Sequence, residues 1–264
     1  LRKRAQDDEI TLIGAEPEPP YSRMALPYLL VGSIGEEGTY LRKDPDHFAR
    51  LRIALKRCRA SAVDTGKREV RLDTGEALPY DRLLIASGVT PNRPPIPGID
   101  LPNVLACWTL DDARRILAVA KPGAKVVQMG AGFIGCIIME ALAARGVQLT
   151  IVETGNRMVP RMMTEGAGAM IKAWCERKGI RVLTGTKVAS IAPRGAGLAA
   201  TLEGGEVLDC DLLISATGVR ANIGFLAGSG IACEHGVLVD HRMQTNVPEV
   251  YAAGDVAQSP EFPS

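Results

Sequence analysis

The sequence predicts an α/β chain made of two copies of one strand-and-helix module, the second inserted into the first. Three observations carry this: an aliphatic, turn-rich composition, an internal repeat at constant offset, and a glycine fingerprint between a strand and a helix. Of 264 residues, 46% are hydrophobic and 4% aromatic, with 28 Gly and 17 Pro. That mix suits short buried strands joined by tight turns and excludes a disordered chain. Lys plus Arg is 31 against 30 for Asp plus Glu, a net charge of +1. So balanced a chain is not expected to bind nucleic acid through its phosphates. No apolar run approaches the ~18 residues of a membrane span, and no apolar leader follows Leu1-Arg2-Lys3-Arg4. The expectation is a soluble, cytoplasmic protein without a membrane partner.

In chain order, Ile10-Thr11-Leu12-Ile13 reads as a short apolar strand. Residues 71–92 follow as a hairpin strand, a glycine turn and a buried strand that ends in small residues. They align without a gap to residues 201–222 at an offset of 130 and are identical at ten of 22 positions, Gly75, Gly88 and Asn92 among them. Ile10–Ile13 likewise resembles Leu149–Val152 at an offset of 139. The period is far too long for a solenoid. In the second copy, strand Lys125–Met129 and a glycine loop precede Leu149–Val152, and their counterparts in the first copy map to positions −14 to 0. The first copy is therefore expected to lack its opening strand and glycine loop, leaving Ile10–Ile13 unpaired along one edge.

The loop after Met129 is Gly130-Ala131-Gly132-Phe133-Ile134-Gly135, a G-x-G-x-x-G that runs into the helical pattern Ile137, Ile138, Leu142. The first glycine permits a tight turn, the second lets a pyrophosphate approach the backbone, and the third lets helix pack on strand. Glu153 ends the next strand, 18 residues after Gly135. A carboxylate there is placed to grip the adenosine ribose hydroxyls and to repel a 2′-phosphate, which favours NAD over NADP. Arg157 is the nearby base that could accept such a phosphate, although an ordinary solvated loop charge is the simpler reading. Cys58, Cys107, Cys136, Cys175, Cys210 and Cys233 are widely spaced, the closest two 23 residues apart. With no C-x-x-C pair and no metal-ligand grouping of His47, His235 and His241, buried free thiols and no metal site are expected.

Taken together, these motifs resemble the FAD/NAD-linked pyridine nucleotide-disulfide oxidoreductase superfamily, over essentially the whole chain. The resemblance rests on Gly130–Gly135, on the turns Ala86-Ser87-Gly88 and Ala216-Thr217-Gly218, and on Thr245–Val250 followed by Tyr251-Ala252-Ala253-Gly254-Asp255. Gly14-Ala15-Glu16-Pro17, Tyr21-Ser22-Arg23 and Leu26 look most like the nitrite reductase large subunit and the rubredoxin and ferredoxin reductase group. The resemblance implies NAD contacts from Gly130, Gly132, Phe133, Ile134, Gly135, Glu153 and Gly218. It implies FAD contacts from Glu16, Arg23, Ala86, Ser87, Gly88, Gly254 and Asp255.

The implied architecture is two Rossmann-like nucleotide-binding domains, an NAD domain at 109–232 inserted in an FAD domain made of 1–108 and 233–264, with both ends looking trimmed. The implied activity is transfer of hydride from NADH to flavin, with electrons passed on to an unidentified acceptor, a redox protein or a fused reductase domain. A homodimer is open for a full-length relative. Three departures stand out. No redox cysteine precedes Cys58, Ile137 stands where many relatives carry a glutamate near the flavin, and Pro27-Tyr28 replaces a Ser-Lys. Dithiol chemistry is thus not expected, and no catalytic side chain is assigned. The alternative is a non-catalytic NAD-binding fragment or scaffold unable to hold FAD.

Overall fold

The structure is a computed structural model that describes residues 2–4 and 6–259. It divides into two packing units, a first of Leu1–Tyr21, Tyr40–Thr90 and Arg220–Ser264, and a second of Ser22–Thr39 and Pro91–Val219. The chain crosses between them at Tyr21/Ser22 and Thr39/Tyr40, and again within strands β7 (Val89–Pro91) and β16 (Val219–Ala221), which pair with each other.

The second unit is built on a five-stranded parallel sheet. Its strands are β8 (Val104–Leu105), β9 (Lys125–Met129), β10 (Gln148–Glu153), β11 (Arg181–Thr184) and β15 (Leu212–Ser215), in the order β11-β10-β9-β15-β8. Parallel strands are covered on both faces, which is why they read as continuous apolar runs rather than alternating ones. Leu212, Leu213 and Ile214 are fully buried, and burying each such side chain contributes about 1.5–3 kcal/mol. Helix α4 (Phe133–Ala144) connects β9 to β10, and α5 (Glu165–Arg177) connects β10 to β11. Helix α3 (Leu110–Val119) starts on a capping box in which Thr109 Oγ1 accepts from Asp112 N and Asp112 Oδ2 accepts from Thr109 N. One buried cluster joins the sheet to the antiparallel meander β12 (Val188–Arg194), β13 (Gly197–Leu202) and β14 (Val207–Cys210). Val127, Met129, Val152 and Leu213 meet Val188, Ile191, Leu198 and Ala200 there.

Residues 22–39 also belong to this second unit. Helix α1 (Leu26–Val31) buries Leu26, Leu29 and Leu30, packs on α3 and α4, and accepts a 2.7 Å bond at Leu30 O from Arg145. The packing boundaries therefore fall at 90/91 and 219/220, with 22–39 on the far side of the first. The sequence division at 108/109 and 232/233, drawn at the helical segment from Leu110 after the proline-rich stretch Pro91–Pro102, differs from these packing boundaries.

The first unit repeats part of this plan. Strand β1 (Ile10–Ile13) pairs in parallel with β2 (Ile53–Lys56), and β6 (Leu83–Ile85) pairs in parallel with β18 (Val250–Ala252). The meander β3 (Ala60–Asp64), β4 (Glu69–Leu72), β5 (Ala77–Pro79) matches β12–β14, and β17 (Val237–Leu238) pairs with β19 (Ala257–Gln258). Short helix α2 (His47–Arg50) precedes β2. Val63, Val70, Ile85, Val237, Val250 and Val256 form the core, with Ile13 packed against it. In the second unit β9 lies between β10 and β15. In the first, their counterparts β1 and β6 each pair along one edge among the described residues, and Leu12 (43% exposed) and Leu84 (61% exposed) face solvent. No described helix is long and apolar enough to cross a membrane.

Candidate functional site

The glycine fingerprint caps the carboxyl end of β9, at the centre of the second unit's sheet. Gly130 donates to Val152 O and Ala216 donates to Met129 O, both at 2.8 Å, so the loop is tied to β10 on one side and β15 on the other. The three glycines are required for different reasons. Gly130 has φ +93°, and a Cβ there would lie 2.3 Å from Ala216 O. At Gly135 a Cβ would lie 2.6 Å from Gly130 O. Both positions exclude a side chain because of the protein's own backbone. Gly132 differs. Its φ is −72°, and a Cβ would meet nothing within 4 Å. The fold itself would accept alanine there, so the missing side chain leaves room for something outside the chain.

Gly132 is also the N-cap of α4, and no side chain caps the helix. Its first-turn N–H groups lack intrahelical partners and carry the positive end of the helix dipole. An anion at this point would be met by backbone donors with no side chain in the way. Phe133 (58% exposed) and Ile134 put apolar surface beside the loop, while Ala131 is fully buried. The turn Ala216-Thr217-Gly218 adjoins Gly130, and Gly218 is exposed with φ +96°. The structure thus brings Gly130, Gly132, Phe133, Ile134, Gly135 and Gly218 to one rim.

Glu153 ends β10 beneath this rim and is buried. Its Oε2 accepts from Ala131 N at 2.6 Å, and its Oε1 accepts from Gly155 N at 2.7 Å. The carboxylate therefore fastens the glycine loop to the loop that follows β10. Oε1 also accepts from the Thr154 hydroxyl at 3.2 Å, so Oε2 is the oxygen that keeps a second lone pair for a further hydroxyl donor. Arg157 spends its guanidinium on its own loop, donating to Met163 O, Asn156 Oδ1 and Pro160 O at 2.8–3.0 Å.

In the first unit, Ala86-Ser87-Gly88 and Gly254-Asp255 follow the neighbouring parallel strands β6 and β18, with Ala253 N donating to Ile85 O at 3.0 Å. They form one strand-end surface, the place where open α/β sheets take ligands. Glu16 lies past the end of β1 and accepts from the Tyr21 hydroxyl. Arg23 packs within the second unit. It donates to Trp108 O at 2.7 Å, and its guanidinium carbon lies 5.3 Å from the centre of the Trp108 ring.

The sequence reading missed three residues that hold these turns. Asn222 donates from N to Gly88 O and from Nδ2 to Ser87 O, and accepts from the Ser87 and Thr90 hydroxyls. Its repeat mate Asn92 does the same work in the other unit, donating from N to Gly218 O and accepting at O from the Thr217 hydroxyl. Identity of 92 and 222 across the repeat was the available signal. The third, Gln128, is a polar residue inside an apolar strand.

A parallel α/β sheet with an uncapped helix start behind an open glycine is a general arrangement for meeting the phosphates of a nucleotide. The chain belongs to the pyridine nucleotide-disulphide oxidoreductase family, whose model matches residues 1–263. It is 35% identical over 254 residues to the NADH-dependent phenylglyoxylate dehydrogenase subunit epsilon of Aromatoleum evansii, covering 96% of this chain and 60% of that protein. It is 32% identical over 261 residues to the biphenyl dioxygenase system ferredoxin–NAD(+) reductase component of Paraburkholderia xenovorans (strain LB400), covering 98% and 64%. Among solved structures, the reductase in the covalent putidaredoxin reductase–putidaredoxin complex superposes with a TM-score of 0.92 at 27% identity, covering 98% of this chain and 64% of that one. The chain thus spans under two thirds of the length of these relatives.

The residues present fit NADH at the second unit. For FAD the fit is partial. The first unit offers strand-end turns, but among its described residues no glycine loop opens a helix, and its one α-helix, α2, is four residues long.

Proposed function

We propose that the chain is the nucleotide-binding part of an FAD-dependent NADH oxidoreductase that passes electrons to a separate redox acceptor in the cytoplasm. The observation that carries this reading is Gly132, a glycine the fold does not need, at an uncapped helix start. Family membership supports FAD and NAD(H) as the cofactor pair. Relatives named as ferredoxin–NAD(+) and rubredoxin–NAD(+) reductases support a small redox protein as acceptor. In this reading the architecture is two Rossmann-like domains, with NAD at 109–232 and FAD at 1–108 plus 233–264.

The flavin, when bound, supplies the hydride-accepting chemistry. The chain's own residues bind and orient. Gly132 admits the pyrophosphate, the first turn of α4 offsets its charge, and Glu153 holds Ala131 while its Oε2 offers a lone pair to the ribose diol. Phe133, Ile134 and Gly218 shape the rim around the dinucleotide. Ala86–Gly88, Gly254, Asp255, Glu16 and Arg23 are the proposed flavin contacts. A reading without dithiol chemistry is supported by the six free cysteines, of which Cys58, Cys107, Cys175 and Cys210 are buried. Burial pushes the Cys107 and Cys210 thiols up to about 12 and that of Cys136 to about 11, away from the reactive thiolate. A second reading, an NAD-binding module that holds no flavin, is favoured by the one-sided pairing of β1 and β6.

Calorimetric titration tests the nicotinamide assignment. NADH is expected to bind, and NADPH to bind at least about tenfold more weakly, because a partly desolvated like-charge contact with Glu153 costs about 1.4 kcal/mol or more. Glu153→Gln is expected to narrow that gap. No NADH binding, or equal NADPH affinity in the native chain, would overturn the assignment.

A further inference from the structure

Strand β9 carries the fingerprint, and three of its buried residues, Val126, Val127 and Met129, are apolar. Gln128 lies among them with no exposed surface, opposite Ile151 on β10 and Ile214 on β15. An amide buried between two aliphatic neighbours loses its hydration, and an apolar side chain of the same length would pack there without that loss. What the amide does is local. Its Nε2 donates to Gly130 O at 2.9 Å and to Gly135 O at 3.0 Å, while its Oε1 is buried without a hydrogen-bond partner. One NH2 group thus bridges the first and third glycines of the fingerprint from below. Those two residues bracket Gly132 and the start of α4, so the bridge sets the span of the loop that the proposed ligand must enter. The half-satisfied amide argues against selection for stability, since an orphaned acceptor weakens a core.

Resting on the NADH reading above, we infer that Gln128 is a positioning residue of the dinucleotide site. It holds the two ends of the glycine loop at the separation at which Gly132 and the α4 N-terminus face a pyrophosphate. It touches no ligand itself. Its effect is to keep the donors in place before the ligand arrives, so that binding does not have to order them.

The test is Gln128→Met, which keeps length and removes both polar atoms, with Gln128→Leu as a second variant should the first fail to fold. Thermal stability, NADH affinity by calorimetry, and amide hydrogen exchange across 130–136 are compared with the native chain. The expected result is a folded variant with NADH affinity at least fivefold weaker, a larger loss than its change in stability accounts for, and faster exchange at the loop amides with β10 unchanged. A loss of affinity beyond the loss of stability is what a merely structural residue would not produce. Native NADH affinity in a folded variant, or affinity falling only in step with stability, overturns the inference and leaves the NADH site standing. If the native chain binds no NADH, this inference and the NADH reading fail together.

Discussion

Two kinds of buried side chain shape the second unit, and they respond differently to their surroundings. Glu153 and Gln128 are buried with hydrogen bonds to the glycine loop, so their polarity has a local use. Cys107 and Cys210 are buried by apolar neighbours, and desolvation, with Asp112 and Asp211 adding repulsion, keeps both protonated up to about pH 12. In the unfolded chain a thiol titrates near 9. Between about pH 9 and 12 the unfolded state therefore binds fewer protons than the folded one, and stability falls as pH rises through that window. Each of these thiols contributes up to about 1.4 kcal/mol of loss per pH unit. Urea unfolding at pH 8 and pH 10.5 checks this: the free energy is expected to drop, and to drop less in Cys107→Ala. A flat profile would mean that the two thiols are not held protonated by the fold.

At the level of elements, local signals were legible and long-range packing was not. The repeat at offset 130 marks real structural mates, since β5, β6 and β7 start at 77, 83 and 89 and β14, β15 and β16 at 207, 212 and 219. The fingerprint likewise marks the junction of β9 and α4, because loop glycines and helix periodicity are encoded within a few residues. Nothing local shows that Leu26–Val31 packs on α3 and α4, or that two residues, Val104–Leu105, add an edge strand to the sheet. Those placements depend on partners far along the chain. The Asn92 and Asn222 latches were half visible, since the repeat shows the identity but not the turn each asparagine holds. Helix α3 offers a direct check on an encoded element. Its capping box satisfies two backbone donors, and Thr109→Ala is expected to lower unfolding stability by about 1 kcal/mol without changing NADH affinity. An unchanged urea midpoint would show that the cap contributes nothing.

For the whole molecule, the two halves of the duplication are not equivalent. The second unit has its central strand, glycine loop and helix start, whereas among the described residues β1 and β6 of the first are each bonded along one edge, with Leu12 and Leu84 exposed. Edges paired on one side leave backbone donors and acceptors to solvent, and among the first unit's described residues no glycine loop opens a helix that would offset a flavin pyrophosphate. The 264-residue chain is therefore expected to purify with little or no FAD by visible absorbance. Near-stoichiometric flavin would contradict that expectation. The claim on which the functional account depends most is that Gly132 is a glycine for the sake of a ligand. Its sharpest test is calorimetric NADH titration of Gly132→Val, run beside thermal melts of that variant and of Gly130→Ala. Because Gly130 is held at positive φ against Ala216 O, its variant is expected to lose about 1–3 kcal/mol of stability. Gly132→Val is expected to melt close to the native chain yet lose NADH binding at least about tenfold, a steric block at the pyrophosphate. Native NADH affinity in a well-folded Gly132→Val would contradict the account.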